Sequence, residues 1–354
     1  MKNEHSSLNP CTAIDSYRDQ AINRINEKIL ESFPEIFQKY GEEGLKRSEE
    51  DIEFHLLYLK TAVCLEDKEL FLDYTGWLKR YFLSIGLPAD WTLKTLKIVR
   101  IGLAETIPIE KAIPILSVMD HSIDNFAAIQ VKVNSFISSC NHLNVLASQY
   151  VNSLLRKDRY MAEKLVVDAV SSGIPVKEVY LNVFQPAQWE VGRLWQENKI
   201  SVAMEHYFTA ATQFIMSRLY SYIFSSEKNG RSMVATSVSG ELHELGIRMV
   251  SDFFELEGWS TVFLGANTPH RSIVDMIRET NAEVLAISAT IPFNLPKVGE
   301  LIQFVRTDFP QHDLKIIVGG KPFNTNPDIW KKLGADGFAP DAESAIKEAT
   351  RLIS

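Results

Sequence analysis

One histidine of this sequence stands where an imidazole could reach a ligand. His243 lies in residues 239–246, directly after the apolar run 233–238, which has the composition of a buried strand. Glu241 lies two residues before it. A neutral imidazole is a transition-metal ligand, and a nearby carboxylate can hold its other nitrogen and raise its basicity. The pattern indicates a metal-ligating histidine; the alternative is a solvated loop histidine beside an acidic helix cap.

Small and polar residues follow two other predicted strands of the same region. The strand-end positions are Ser288-Ala289-Thr290 and Gly319-Gly320, while Gly246 opens the helix after the His243 loop. Because the carboxyl ends of parallel strands meet at one edge of a sheet, we expect all of them at the ligand-binding edge. Their small side chains leave room there for a large flat ligand.

The elements that must position these residues begin after the polar linker 227–230. From there, short β-rich runs alternate with amphipathic helices, which predicts a Rossmann-like, parallel, doubly wound sheet over residues 229–354. We expect about five strands, at 233–238, 260–264, 284–289, 314–318 and 336–339.

Residues 146–228 read as short helices joined by tight breaks, which predicts a four-helix bundle. Gly173-Ile174-Pro175 separates two of these helices, and Ser201 is a good N-cap for the helix that contains Glu205 and His206.

Residues 1–145 read as an all-helical domain. Ser48 and Asp51 form a capping box ahead of an apolar stripe, Asp67 can cap the next helix, and Gly86 with Pro88 stops it. A third helix starts after Asp90, and helical periodicity resumes over 115–147.

Aromatic and basic residues recur on the helices of this domain. Aromatic faces can sandwich a flat conjugated ligand, and arginine can pair with its carboxylates. The alternative is a bundle core with arginines whose stems lie along it. The candidate residues are His55, Tyr58, Tyr74, Trp77, Arg80, Tyr81, Trp91 and Arg100.

Composition excludes several classes of protein. The 354 residues have a net charge of −8, which argues against a general nucleic-acid-binding surface, and no segment is long and apolar enough to span a membrane. The start lacks an apolar export segment. Three widely spaced cysteines exclude a disulfide scaffold and suit a reducing cytoplasm. No hydrolase, kinase or zincin motif occurs, and His121, His142, His270 and His312 lack ligand-like spacing.

The pattern Glu241-x-His243-x-x-Gly246, then Ser288-x-Thr290, then Gly319-Gly320, resembles the cobalamin-binding domain of the methionine synthase and B12-photoreceptor superfamily. The resemblance implies that His243 is the lower axial ligand of cobalt, with cobalamin bound base-off. It also implies that Glu241 holds His243, and that the serine and glycine positions line the channel for the nucleotide tail. This chain has Glu where Asp is the most frequent first residue of the pattern.

The bundle segment Trp195-x9-Glu205-His206 is similar to the motif of light-sensing adenosylcobalamin proteins. The resemblance implies that Trp195, Val202 and Glu205 contact the 5′-deoxyadenosyl group, with His206 supporting the bundle. The alternative is an amphipathic core helix. Light-sensing transcription factors often have a histidine after the tryptophan, but Gln196 stands there in this chain, so a water-ligated cobalt is expected after photolysis.

The domain order looks like that of the photocobilins. This resemblance implies that biliverdin binds non-covalently near the corrin; covalent attachment at Cys11 is the less favoured alternative. The expected function is a cytoplasmic, non-enzymatic light sensor, in which photolysis changes domain packing or oligomeric state. Because no catalytic domain is recognised in the sequence, the signal is expected to leave through self-association, as a homo-oligomer, or through an unknown protein partner. The alternatives are a corrinoid carrier in methyl transfer and a light-independent tetrapyrrole-binding sensor.

Overall fold

The computed structural model describes residues 10–224, 226–310 and 313–354. The chain divides into two compact units, Met1–Lys132 and Val133–Ser354. Among the described residues, no helix combines the length and apolar character that crossing a bilayer requires.

The secondary structure of the first unit is all helical in its described part, as the sequence predicts. Six α-helices are followed by a short 3-10 turn, Phe126–Ala128. The helices are α1 (Pro10–Ser16), α2 (Arg18–Ser32), α3 (Pro34–Cys64), α4 (Lys68–Ser84), α5 (Trp91–Thr106) and α6 (Ile109–Asn125). The predicted cap at Asp67 is confirmed, because its side chain accepts a hydrogen bond from the amide of Glu69 at 3.0 Å.

The capping box at Ser48 is wrong. Helix α3 runs through this position without a break, and its one interruption is at Gly41, where φ is +56°. The Ser48 hydroxyl instead donates to Oδ1 of Asn26 on α2, at 2.9 Å. A tertiary hydrogen bond therefore uses the side chain that the sequence pattern assigned to a helix end.

The helix predicted over 115–147 is confirmed at both ends and wrong in its middle part. Helix α6 starts earlier, at Ile109, and ends at Asn125, and the next helix starts at Asn144. Lys79 donates to the carbonyls of Phe126 and Ile129, at 2.9 and 3.0 Å. Further along, side chains accept hydrogen bonds from amides two residues ahead, which competes with helix formation. These side chains are Ser135, Ser138 and Asn141.

Two of the three cysteines are paired, contrary to the sequence expectation. Cys11 and Cys64 form a disulfide pair with their Cα atoms 5.3 Å apart, since α1 packs against α3. Cys140 is free and exposed. In this paired state Cys11 has no thiol to offer a bilin.

His55 makes the stability of this unit depend on pH. It is 2% exposed, and its Nδ1 lies 2.7 Å from the Tyr74 hydroxyl. Burial lowers the pKa of His55 to about 4, from 6.5. Because the unfolded chain binds this proton more readily, the stabilisation is complete above pH 6.5 and is lost as pH falls toward 4. It amounts to about 3 kcal/mol.

Denaturant unfolding of the full chain at several pH values checks this expectation. Wild type should lose stability between pH 6.5 and 4, and His55→Gln should lose about 3 kcal/mol less over the same interval. His121→Gln is the matched control, since His121 pairs with Glu69 at the surface of the same unit. Equal pH dependence in wild type and His55→Gln would show that His55 titrates normally.

The second unit begins with a helical bundle, as the sequence predicts. Residues 176–196 form one continuous helical stretch that contains a π-helical turn. Pro186 explains this turn, since proline cannot donate to the carbonyl of Asn182, which accepts from Nδ2 of Asn141 at 2.6 Å instead. The elements are α7 (Asn144–Leu155), α8 (Arg159–Ser171), α9 (Val176–Val179), the π-turn (Tyr180–Phe184), α10 (Gln185–Gln196), α11 (Val202–Arg218) and α12 (Tyr220–Ile223).

The rest of this unit is the predicted parallel five-stranded α/β domain. Its strand order is β2-β1-β3-β4-β5, so the chain reverses direction across the sheet between β1 and β3. The strands are β1 (Ser232–Ser237), β2 (Ser260–Gly265), β3 (Val284–Ser288), β4 (Lys315–Gly319) and β5 (Gly337–Phe338). The helices are α13 (Leu245–Leu256), α14 (His270–Thr280), α15 (Leu295–Asp308), α16 (Lys321–Thr325), α17 (Ile329–Leu333) and α18 (Ala342–Ile353).

The bundle and the α/β domain share a hydrophobic core. Leu245, Met249 and Phe253 of α13 are buried in the bundle's core cluster. The hydroxyl of Tyr180 donates to the buried carboxylate of Asp252 at 2.8 Å. Because α13 follows the His243 loop directly, this packing fixes the bundle relative to that loop.

Candidate functional site

His243 and Glu241 form a hydrogen-bonded pair in the loop between β1 and α13. Nδ1 of His243 lies 2.6 Å from Oε1 of Glu241, which also accepts the backbone amide of His243 at 3.1 Å. A carboxylate only accepts, so Nδ1 carries a proton, and in the neutral ring Nε2 keeps its lone pair. The His243 side chain is 55% exposed, whereas that of Glu241 is fully buried. In its neutral form the imidazole of this loop therefore presents Nε2 as the free nitrogen that can bind a metal.

The second oxygen of Glu241 ties this loop to the end of β3. Oε2 accepts hydrogen bonds from the amides of Thr290 and Ile291, at 2.8 and 2.9 Å, and from Nδ2 of Asn294 at 3.2 Å. Burial acts to raise the pKa of Glu241, but the hydrogen bonds from His243 and the two amides outweigh it and lower the pKa to about 2. Glu241 is therefore ionised at neutral pH.

The ionised carboxylate in turn raises the pKa of His243 above its ordinary value, through their hydrogen bond. The negative charge of Glu205, on the bundle helix α11, contributes in the same direction. Glu205 is thus within electrostatic range of His243, which places the start of α11 on the side of the His243 loop.

Glu241→Gln is expected to weaken metal-dependent ligand binding about 10- to 100-fold, the usual effect of losing the partner that holds a ligating histidine. The amide keeps the size of the side chain but removes the charge that fixes the imidazole tautomer. Equilibrium titration of the apoprotein with cobalamin, followed by absorbance, measures the change. Glu257→Gln, an exposed change on the same unit, is the matched control. Equal affinities for the two variants would contradict the role assigned to Glu241.

A cavity of about 440 Å³ opens at the carboxyl edge of the sheet. Trp189 of α10, which sequence reasoning did not select, faces it from the bundle. The predicted residues that line this cavity are Gly246, Ser288, Thr290, Gly319 and Gly320. The structure therefore brings the three sequence motifs together at one edge, with the His243–Glu241 pair bonded to Thr290.

Two glycines, Gly246 and Gly320, leave space in this cavity where a side chain would otherwise lie. Gly320 has φ of +112°, and a Cβ there would lie 2.0 Å from the carbonyl oxygen of Ala289. A Cβ on Gly246 would meet no atom within 4 Å, so it would project into open space. The Ser237 hydroxyl, buried at the end of β1, has no hydrogen-bond partner among the described residues. Open space and an unsatisfied polar group both suit a ligand that enters between strand ends.

The metal-binding side chains of this site suit a metal ion that is already held by an organic ring. Among the described residues, no group of three or more His, Cys, Asp or Glu side chains could hold a metal ion. A bare ion needs several protein ligands, whereas a cobalt held by a corrin needs one axial imidazole. His243 fits the second case. Of the histidines that lack ligand-like spacing, His121 pairs with Glu69, His142 pairs with Glu178 and His270 packs near Phe304, while His312 lies outside the described residues.

The four bundle residues of the second motif lie around the start of α11. Val202 and His206 are one helical turn apart. Val202 is 54% exposed, and the side chain of His206 is 70% exposed. Glu205 pairs with His206 at 2.8 Å and with the Thr209 hydroxyl at 3.1 Å. Trp195 is half-buried on α10. Val202 is therefore not a core residue, although α11 contributes Phe208, Ala211 and Ile215 to the bundle core.

The residues predicted to hold a bilin pack against one another in the first unit. Tyr58 stacks on Tyr74 with ring centroids 3.8 Å apart, and Trp77 stacks on Tyr81 at 5.3 Å. Arg80 donates to the carbonyl of Gln130 at 3.3 Å. The aromatic faces are thus in contact, and a bilin between Tyr58 and Tyr74 would have to separate them. The bilin site stays a prediction.

Two family models match the second unit. One, described as a B12 binding domain, matches residues 231–350 and therefore contains the whole α/β sheet. The other, also described as a B12 binding domain, matches residues 146–220 in the bundle. This is a cobalamin-binding protein.

Curated relatives of this cobalamin-binding protein are corrinoid proteins. Dimethylamine corrinoid protein 3 of Methanosarcina acetivorans is 25% identical over 191 residues, 53% of this chain and 87% of the relative. Dimethylamine corrinoid protein 1 of the same organism is 27% identical over 123 residues, which is 34% of this chain and only 56% of the relative. A Desulfitobacterium hafniense corrinoid protein is 27% identical over 128 residues, 36% and 57% of the two chains.

The fold has a solved counterpart. The monomethylamine corrinoid protein of Methanosarcina barkeri superposes with a TM-score of 0.51 at 18% identity, over 60% of this chain and 98% of that one. This similarity confirms the predicted fold class, a helical bundle followed by a parallel α/β cobalamin-binding domain.

Proposed function

We propose that His243 ligates the cobalt of a base-off cobalamin through Nε2. The hydrogen bond from Nδ1 to the buried Glu241 supports this, because it leaves Nε2 free and orients the ring. The cavity among Gly246, Ser288 and Gly319 supports it too, as the place for the displaced nucleotide tail. When bound, this group would supply a cobalt–carbon bond from which the carbon group can be transferred or released.

The function we propose for this centre is a corrinoid carrier in methyl transfer, which corresponds to the sequence alternative rather than to the leading hypothesis. The similarity to dimethylamine corrinoid proteins, over 53% of the chain in one case, carries this proposal. In such a role the protein binds and orients the corrinoid, and a separate methyl-transferring enzyme is the partner. The exposed His206 and Val202 leave the upper side accessible to that partner.

The test is a reaction in the dark. Protein loaded with methylcobalamin is mixed with purified corrinoid-dependent methyltransferases and an amine or thiol acceptor, and the cobalt–carbon bond is followed by absorbance. Loss of the methylcobalamin band with formation of methylated acceptor supports the carrier. A methyl group that every enzyme leaves in place in the dark, and that only light removes, would contradict it.

Light sensing is the second candidate, favoured by the Trp195, Val202 and Glu205 positions. Gln188, seven residues before Trp195 and so on the same side of α10, lies with Glu205 against the Thr209 hydroxyl. These contacts suit a cap over an adenosyl group whose loss on illumination loosens the bundle. Adenosylcobalamin-loaded protein should then change its elution volume after green light, and Trp195→Ala should lose adenosyl selectivity. An unchanged volume after complete photolysis would contradict a readout through oligomeric state.

Biliverdin belongs to this second candidate. Binding of biliverdin between Tyr58 and Tyr74 requires this stack to open, because the two rings are already in van der Waals contact. An absorption spectrum of the full chain with added biliverdin tests it, with Tyr58→Ala as the variant. A red-shifted, protein-bound bilin band that weakens in Tyr58→Ala supports the site, and a spectrum equal to that of free biliverdin contradicts it.

A further inference from the structure

Two aromatic rings that line the cavity come from outside the α/β domain. Phe136 lies in residues 133–143, the segment before α7 that we call the strap, and Trp189 lies on α10. Their ring centroids are 5.6 Å apart, and their planes are tilted by 59°. Phe136 is 39% exposed and Trp189 is 51% exposed. A ligand in the cavity would cover apolar surface of both rings that faces solvent here.

Hydrogen bonds at both ends of the strap hold it on the bundle. The amide of Phe136 donates to Oε2 of Glu190 at 3.0 Å. Further along, Nδ2 of Asn141 donates to the carbonyl of Asn182, in the π-turn, at 2.6 Å. Between these two contacts, Ile137 packs against the core cluster of the bundle. The backbone that carries the Phe136 ring is therefore fixed at the cavity without help from a ligand.

The buried carboxylate of Glu190 joins the strap to α10. Glu190 follows Trp189 directly and is 6% exposed. Arg193 donates to both of its oxygens, at 3.0 and 2.6 Å. Burial acts to raise the pKa of Glu190, but the hydrogen bonds from Arg193 and from the Phe136 amide outweigh it and lower the pKa. Hydrogen bonds to an ionised group are strong, so this contact fixes Phe136 beside Trp189.

The size and lining of the cavity suit the nucleotide end of a corrinoid. Its volume of about 440 Å³ lies within the range of small-molecule sites, about 300 to 1,000 Å³. Strands β3 and β4 contribute small residues to it, among them Ala286 and Gly319, which leave space beside the sheet. Phe136 and Trp189 contribute flat apolar faces. Nucleic-acid bases stack on such faces through their own π-systems, largely independent of which base it is.

We infer that Phe136 and Trp189 make this site selective for corrinoids that carry a planar aromatic lower base. The inference rests on the proposed base-off binding, in which the nucleotide tail enters the cavity. The base packs against the two rings, so a corrinoid that lacks the nucleotide leaves both rings uncovered. Discrimination between corrinoids thus depends on the strap and on α10, and neither residue belongs to the sequence motifs of the α/β domain.

The test is an equilibrium titration of the full-length apoprotein with hydroxocobalamin and with the hydroxo form of cobinamide, which has the same ring but no nucleotide. The ratio of the two affinities is compared between variants, because cobalamin must also release its own base from cobalt. In Trp189→Ala this ratio should fall about 5- to 100-fold, the usual effect of removing an aromatic ring that stacks on a base, through weaker cobalamin binding alone. Phe136→Ala should change the ratio in the same direction, and Trp189→Phe should keep most of it. Tyr160→Ala is the matched control, since Tyr160 is an exposed aromatic residue on α8 of the bundle.

The outcomes separate this inference from the proposed ligation by His243. A ratio that is unchanged in Trp189→Ala, or an equal loss of affinity for both corrinoids, would overturn the role of the aromatic pair. The absorption spectrum of bound cobinamide reports on His243 independently, because cobinamide has no base of its own to ligate the cobalt. If that spectrum equals the one of free cobinamide, and His243→Ala binds both corrinoids as tightly as wild type, the ligation itself is wrong. A lower ratio in Trp189→Ala, with the cobinamide spectrum of wild type, supports the inference.

Discussion

Replacing His243 with alanine should weaken cobalamin binding more than the 10- to 100-fold expected for Glu241→Gln, because it removes the cobalt ligand rather than the group that orients it. Any cobalamin that still binds should return to the base-on form, in which its own nucleotide base ligates the cobalt. Equilibrium titration gives the affinity and the absorption spectrum gives the coordination.

The control for this variant is His142→Ala, which changes an exposed histidine of the same unit. Since the His243 side chain is 55% exposed and its loop ends in a helix held by the bundle core, the alanine variant should fold normally. Thermal unfolding of the apoprotein checks that point. Wild-type affinity together with a wild-type spectrum for His243→Ala would contradict the proposed ligation.

Replacing Gly320 with alanine should have the largest effect on stability, about 3 kcal/mol or more. Its φ of +112° is unfavourable for any residue with a Cβ, and that Cβ would overlap the carbonyl oxygen of Ala289 at 2.0 Å. Relief requires the ends of β3 and β4 to separate, which would break the hydrogen bond from Ala289 N to Gly319 O, 3.1 Å long. Denaturant unfolding measures the loss.

Gly246→Ala is the informative contrast. Its Cβ would enter open space next to the cavity, so stability should be unchanged or slightly higher, as for alanine in place of glycine in a helix. Cobalamin affinity should nevertheless fall, because the methyl group occupies space at the tail site. Equal stability losses for the two variants would show that the strain at Gly320 has been misjudged.

The α/β half of the fold could be predicted from local pattern. Buried parallel strands are short, β-rich and separated by amphipathic helices, and all five predicted runs are strands in the structure. The edge position of His243 followed from the same pattern, since a residue directly after a strand must lie at its carboxyl end. The spacing of Glu241 to His243 is local as well, and the two side chains do pair.

Contacts between distant segments were not predictable in this way. Asn294 reaches Glu241 across 53 residues, and no spacing rule connects them. Cys11 meets Cys64 only because α1 packs on α3, and Ser48 bonds to Asn26 instead of capping a helix. Trp189 lines the cavity from α10, which follows a π-turn, and neither the turn nor the contact is specified by the sequence around Pro186.

The central claim, cobalt ligation by the imidazole of His243, is tested most directly by electron paramagnetic resonance of the Co(II) form. The protein is produced with nitrogen-15 histidine and loaded with unlabelled cobalamin, so that the isotope distinguishes a protein nitrogen from the nucleotide base. The splitting from the axial nitrogen should change to the pattern of the labelled isotope, and His243→Ala should abolish this change. A splitting that is identical in labelled and unlabelled protein would mean that the nucleotide base, not His243, holds the cobalt from below.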